Sequence, residues 1–246
     1  HERTVQAEKA AELIMRKSVT SRSCPNSQET VWGFCWFAFQ LLVLPGFLTF
    51  ANGKLSRPLT SAELNFVYYV LNFTAVLVIF QDFLSSAATQ AVKHPAYWCQ
   101  AVILGFVAYY ACRLATQYLV GLLVPGFSNY NDASIAAMER QNRLLVFLGT
   151  VILVPPAEEC FYRGLIFRNL YTKSPWAAYL VSMLAFSMVH IVGYLGSYTT
   201  GEILIAVLQY LPAGLCLAWS YTKADTIFAP IAIHATVNFL TLSSWR

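Results

Sequence analysis

A chain of 246 residues with 57% hydrophobic content, a mean hydropathy of +0.53 and 11% charged residues lies well below the roughly 25% charge of soluble domains, which excludes an ordinary water-soluble fold. Six cysteines (Cys24, Cys35, Cys99, Cys112, Cys160, Cys216) show no framework spacing, which excludes a disulfide-stapled secreted domain and points to reduced thiols. The net charge of +4 is modest and its basic residues are dispersed, so nucleic acid is not an expected partner.

Residues 1–30 hold nine of the 28 charges, five basic and four acidic. They lack the basic, apolar, small-residue order of a cleavable signal peptide and are expected to form a polar tail outside the bilayer. Residues 31–246 read as one integral membrane domain. A hydrocarbon core about 30 Å thick needs roughly 20 apolar residues per helix. Val31 to Phe50 and Leu64 to Gln81 carry no charge, and Pro95 to Asn131 is interrupted only by Arg113. Arg113 is expected to snorkel or to pair with an acid such as Asp82. The connection from Pro125 to Arg143 is expected to hold a short interfacial helix across Ala133 to Asn142.

A fourth segment, Leu144 to Leu170, is apolar up to Ala157 and then meets Glu158, Glu159, Arg163 and Arg168, too many charges for a lipid-facing helix. Ser174 to Gly201, Ile203 to Thr222 and Thr226 to Trp245 complete the count. The runs lack the period-two alternation of barrel strands, and a helix satisfies its own backbone in lipid. The expected fold is all-α: a polytopic membrane helix bundle of about seven transmembrane helices with a buried polar cavity. Counting Lys and Arg on alternate sides of seven spans puts nine on the N-terminal side and five on the other, which favours a cytoplasmic N-terminus.

An ionisable side chain at the centre of a membrane helix costs about 2.5 to 3.5 kcal/mol on insertion scales. Glu158, Glu159, Arg163, His190 and His234 all fall in the last four spans, so convergence on one polar interior is the simplest way to tolerate them. Positions four apart share a helix face, which pairs Glu159 with Arg163 and leaves Glu158 displaced by about 100° and available. The same spacing relates Phe186 to His190 and His234 to Asn238. Pro155 and Pro156, just before the acidic pair, remove two backbone donors and are expected to kink or open the helix, letting water in.

A buried carboxylate beside a His can take a proton from water as general base, and a second His with an Asn can donate to an oxyanion. This chemistry fits hydrolysis, with the peptide bond as the leading target. A thiol nucleophile at Cys160, with His190 as base, is the weaker alternative, because the adjacent carboxylates disfavour a thiolate.

At these residues the sequence resembles the CAAX protease and bacteriocin-processing (CPBP/Abi) family of intramembrane endopeptidases, which includes the eukaryotic prenyl-protein endopeptidase. Three motifs carry the resemblance in order: EExxxR at Glu158 to Arg163, FxxxH at Phe186 to His190, and HxxxN at His234 to Asn238. It covers residues 140–242, while the earlier spans match only as hydrophobic segments. The resemblance implies that Glu158 and His190 activate water and that His234 and Asn238 hold the oxyanion. Glu159 and Arg163 then organise the site or engage substrate. It implies a peptide or protein substrate at the membrane, with or without a lipid modification, and a lipid bilayer as the surroundings. A glutamate mechanism without cofactor or metal is favoured, because no HExxH pair supplies two zinc ligands on one turn. A zinc held by one Glu and two His is the alternative. The compact length and the PPAEECFYRG stretch look prokaryotic. A non-enzymatic membrane scaffold or bacteriocin-immunity protein with the same fold is the competing function.

Overall fold

The computed structural model describes residues 24–244. It is a bundle of α-helices, with no strand among the described residues. In chain order the helices are α1 (Ser27–Leu42), α2 (Leu44–Asn52), α3 (Ser61–Ile79), α4 (Gln81–Lys93), α5 (Pro95–Leu123), α6 (Tyr130–Gln141), α7 (Arg143–Tyr171), α8 (Pro175–Ile191), α9 (Thr200–Ala224) and α10 (Phe228–Ser244). A 3₁₀ segment, Val192–Ser197, extends α8. The chain is an integral membrane protein: α3, α5, α7, α9 and, together with its 3₁₀ extension to Ser197, α8 are each long and apolar enough to cross a bilayer.

The expected seven spans are not all single crossings. The stretch expected as one helix, Val31 to Phe50, is bent by 46° between α1 and α2. Val43 stands at the break and Pro45 begins the new helix in its first turn, where a missing N–H costs nothing. Counting this bent pair as one gives six spans. The last helix, α10, has 17 residues, about 26 Å long at 1.5 Å per residue, slightly short of a full hydrocarbon core. Between α3 and α5 the sequence reading missed α4, because its polar composition lacks a span signal. Phe80 interrupts the helix at φ −103°, ψ 29°, and α4 then buries Phe83 and Ala87.

Helix starts are set by side chains that the sequence shows plainly. Asn26 with Glu29, Thr60 with Glu63 and Thr199 with Glu202 form reciprocal capping boxes on α1, α3 and α9. Glu29 does more than cap, because its second oxygen accepts from the Phe83 backbone N–H at 2.8 Å, tying α1 to the start of α4. The polar tail expected over residues 1–30 therefore gives way to helix at Ser27; residues 1–23 lie outside the described residues.

Helix α7 is the axle of the bundle. Its middle, from Glu159 to Leu165, is buried throughout, whereas outward faces of other helices expose Trp32, Ile103, Leu122 and Trp176, as lipid-facing surfaces do. Small residues permit close crossings. A Cβ at Gly214 on α9 would sit 2.7 Å from the Met183 Cα of α8, a backbone atom that cannot rotate away. Gly214→Ala should therefore push α8 and α9 apart, with a loss of about 1–3 kcal/mol readable as a lowered thermal midpoint in detergent.

The double proline widens α7 instead of breaking it. Residues Leu148–Leu153 and Cys160–Phe167 adopt π-helical turns on either side of Val154–Glu159. In this wider winding the Val154 N–H reaches back five residues to the Gly149 carbonyl. The next carbonyl, Thr150, then faces Pro155, which has no N–H to give. The opening expected from the sequence takes the form of π-helical turns on both sides of the prolines, and the Thr150 carbonyl is released about two turns before the acidic pair.

Candidate active site

Four elements meet around one cavity of about 860 Å³. Glu158 projects from α7, Phe186 and His190 from α8, Tyr210 from α9, and His234 and Asn238 from α10; all line the cavity. Each motif pair lies one turn apart on its own helix, so a single crossing angle delivers both members.

Glu159 and Glu158 have separate surroundings. Glu159 is completely buried and its two oxygens face Arg163, Oε1 to Nη1 and Oε2 to Nε, each at 3.2 Å. Arg163, equally buried, also donates from Nη2 to the Ala213 and Gly214 carbonyls at 3.3 and 3.4 Å, and its guanidinium lies 4.4 Å from the Phe186 ring centroid. The pair thereby clamps α7 to α9. The remaining capacity of Glu159 Oε1 takes the His234 Nδ1–H at 2.8 Å, which fixes that ring and turns its Nε2 outward.

Glu158 has no such partner. Its Oε2 is buried without a hydrogen bond among the described residues and stands 4.0 Å from His190 Nε2 and 3.9 Å from His234 Nε2. The His190 Nδ1–H donates to the Phe186 carbonyl at 2.7 Å, so its Nε2 also faces the carboxylate. The ring is sandwiched, 4.6 Å from Phe186 and 4.4 Å from Tyr210 between centroids. A carboxylate oxygen and two imidazole nitrogens thus converge on one small volume.

Asn238 holds a double position. It lines the cavity, yet its Nδ2 donates to the Thr150 carbonyl at 2.8 Å, the acceptor that Pro155 leaves free. One amide hydrogen is committed to locking α10 against α7, and the other remains for the cavity. Cys160 is fully buried in the apolar cluster with Phe80, Phe83 and Phe161 and does not line the cavity. The thiol alternative has no route to a substrate.

Other functional-looking residues were invisible to sequence spacing. Tyr68, Tyr69 and Gln40 from α1 and α3 form the facing wall; the Tyr68 hydroxyl bonds the Gln40 side chain, and Trp36 Nε1 reaches Asn72 at 2.9 Å. Asn129, Asn131 and Asp132, around the start of α6, gather on the Tyr210 hydroxyl at 3.1 to 3.4 Å. The helix expected across 133–142 thus begins at Tyr130 and contributes to the cavity. Arg113 departs from expectation: its Nη1 donates to Thr241 Oγ1 at 2.7 Å, while Asp82 accepts from Asn26. The reason is topological, since α5 packs against α9 and α10 at that level.

Cys35, Cys99, Cys112, Cys160 and Cys216 form no disulfide. No group of three or more His, Cys, Asp and Glu side chains among the described residues is disposed to hold a metal ion.

Residues 140–240 match the family model described as Rce1-like, type II CAAX prenyl endopeptidase Rce1-like. No curated protein and no solved structure gives a match to the chain. The matched stretch contains α7 to α10 almost entire, the part of the bundle where the carboxylates and imidazoles meet, and over that stretch the chain is similar to the Rce1-like type II CAAX prenyl endopeptidases.

Proposed function

We propose that this protein is an intramembrane endopeptidase that hydrolyses a peptide bond near the C-terminus of a membrane-associated, prenylated substrate. The observation that carries the reading is the unbonded Glu158 Oε2 facing the Nε2 atoms of His190 and His234 at 4.0 and 3.9 Å inside a cavity large enough for a peptide. A separation near 4 Å is too long for a direct hydrogen bond, but one water spans it with two bonds of about 2.8 Å.

In the proposed cycle Glu158 and the His190 Nε2 lone pair each accept a hydrogen from that water. Its oxygen attacks the scissile carbonyl carbon while one proton passes to Glu158. The proposed cycle gives His234 a second ring proton, on Nε2. With that proton on His234, the Nε2–H donates to the tetrahedral oxyanion, and the second amide hydrogen of Asn238 joins it. Glu158 then returns its proton to the departing nitrogen as the C–N bond breaks. Glu159 and Arg163 take no part in proton transfer; they hold His234 in place. The mechanism needs no metal, and the polar groups around Glu158 act as donors and acceptors, not ligands. By the basic-residue count we assign the N-terminus to the cytoplasmic side, and by the PPAEECFYRG stretch the chain to a prokaryotic membrane.

The test is incubation of the purified chain in proteoliposomes with an S-farnesylated Cys-Val-Ile-Met peptide in ¹⁸O-labelled water. Mass spectrometry should show one label in the new carboxylate and no covalent enzyme adduct. The rate should be unchanged after treatment with EDTA or 1,10-phenanthroline; loss of activity restored by zinc would replace the glutamate mechanism with a metal-dependent one.

A further inference from the structure

Arg113 is the unexplained charge in this cavity. It lies ten residues before the end of α5, about 15 Å from the nearer terminus at 1.5 Å per residue, hence close to the middle of a bilayer core. It lines the same cavity as Glu158 and is only partly buried. Among the described residues it forms no ion pair, and its Nη1 rests on a neutral partner, Thr241 Oγ1, at 2.7 Å. Thr241 in turn donates to the Val237 carbonyl at 2.8 Å, so its hydroxyl presents a lone pair that aims the guanidinium. Thr116 and Gln117, up to one turn further along α5, also line the wall.

Two acids share the cavity, Glu158 and Asp132, and neither neutralises Arg113 by contact. Glu158 belongs to the histidine cluster. Asp132, on α6, hydrogen-bonds Tyr210, and burial raises its pKa against the opposing pull of Arg113 and His190, so it is a poorer counter-ion than a solvated aspartate. A guanidinium at this depth with its fork open to a cavity calls for an anion supplied from outside the protein.

We propose that Arg113, oriented by Thr241 and assisted by Gln117, binds the C-terminal carboxylate of the peptide that is cut at Glu158; this rests on the endopeptidase reading above. Register supports the pairing. Thr241 follows His234 by seven residues on one helix, about 10 Å along its axis. An extended peptide covers that distance in about three residues at 3.3–3.6 Å each. The anchor therefore measures out a short C-terminal fragment from the reactive cluster. Bidentate geometry also favours a carboxylate over a neutral end group.

The experiment compares two forms of the dansylated, S-farnesylated Cys-Val-Ile-Met peptide, one with a free C-terminal acid and one with a carboxamide. Turnover by the wild-type chain and binding to the Glu158→Gln variant are both measured. The acid form should be preferred by about tenfold or more in both, as charge-assisted hydrogen bonds are. The preference in turnover should appear mainly in KM. Arg113→Gln should bring the acid-to-amide ratio to about one, and Arg113→Lys should restore part of it. Equal handling of acid and amide by the unmodified chain, or a ratio undiminished by Arg113→Gln in protein that elutes as a folded monodisperse species, overturns the proposal. Acid-selective binding without any cleavage by the wild type would leave the carboxylate site standing and remove the protease reading. Cleavage without selectivity would do the reverse.

Discussion

Glu158→Gln should lower kcat by roughly 10²–10⁴-fold, the range of general acid–base contributions, while leaving the yield and elution of folded protein unchanged. The two halves of this expectation have separate causes. Gln keeps the size of the side chain but cannot take the proton of an attacking water. Stability is spared because Glu158 Oε2 makes no hydrogen bond among the described residues and its nearest imidazole nitrogens are 3.9 and 4.0 Å away, too distant for a strong direct bond. Initial rates on the farnesylated peptide, read beside size-exclusion profiles, check both. A variant that cleaves at the wild-type rate would remove Glu158 from the reaction. The same substitution one position along should behave differently, since Glu159 is bonded to both Arg163 and His234.

Arg163→Leu should be the most damaging single change to the fold. It strips a completely buried carboxylate of its ion-pair partner and leaves the Ala213 and Gly214 carbonyls of α9 without the guanidinium. Breaking a buried ion pair from one side costs about 3–5 kcal/mol, a large share of the 5–15 kcal/mol by which domains are stable. We expect little or no folded protein in mild detergent, measured as recovery after size exclusion and as thermal midpoint. Arg163→Lys should rescue poorly, because one ammonium cannot bridge both carboxylate oxygens and two carbonyls. A double variant, Glu159→Gln with Arg163→Leu, should recover part of the stability by removing the stranded charge. A thermal midpoint for Arg163→Leu equal to that of the wild type would show that the pair contributes no net stabilisation here.

Between them these outcomes test the proposed division between the two glutamates that adjoin in sequence, one reactive and one structural. That division was readable in outline. Residues four apart share a helix face, so the pairing of Glu159 with Arg163 could be written down from spacing alone, with Glu158 left over. The spacing of Phe186 to His190 worked in the same way, and the observed bond joins His190 to the Phe186 backbone. Asn238 was harder. Its spacing to His234 marks one face but gives no hint that its amide bonds Thr150, 88 positions earlier in the chain. That bond exists because π-helical winding and Pro155 together free a carbonyl.

By itself, the sequence determined the medium and the material: uncharged runs of about 20 residues dictate helices in lipid, and the few ionisable groups within them must find polar company. It also marked which residues share a turn, because helical periodicity is local. Only the tertiary structure decided where spans bend, that polar α4 is a helix, that α6 adds Asp132 to the cavity, and that Arg113 meets Thr241 and not Asp82. The physical reason is range. Backbone hydrogen bonds and capping act within four or five residues, whereas the cavity is made by helix crossings at positions such as Gly214 and Met183, whose partners no local pattern names.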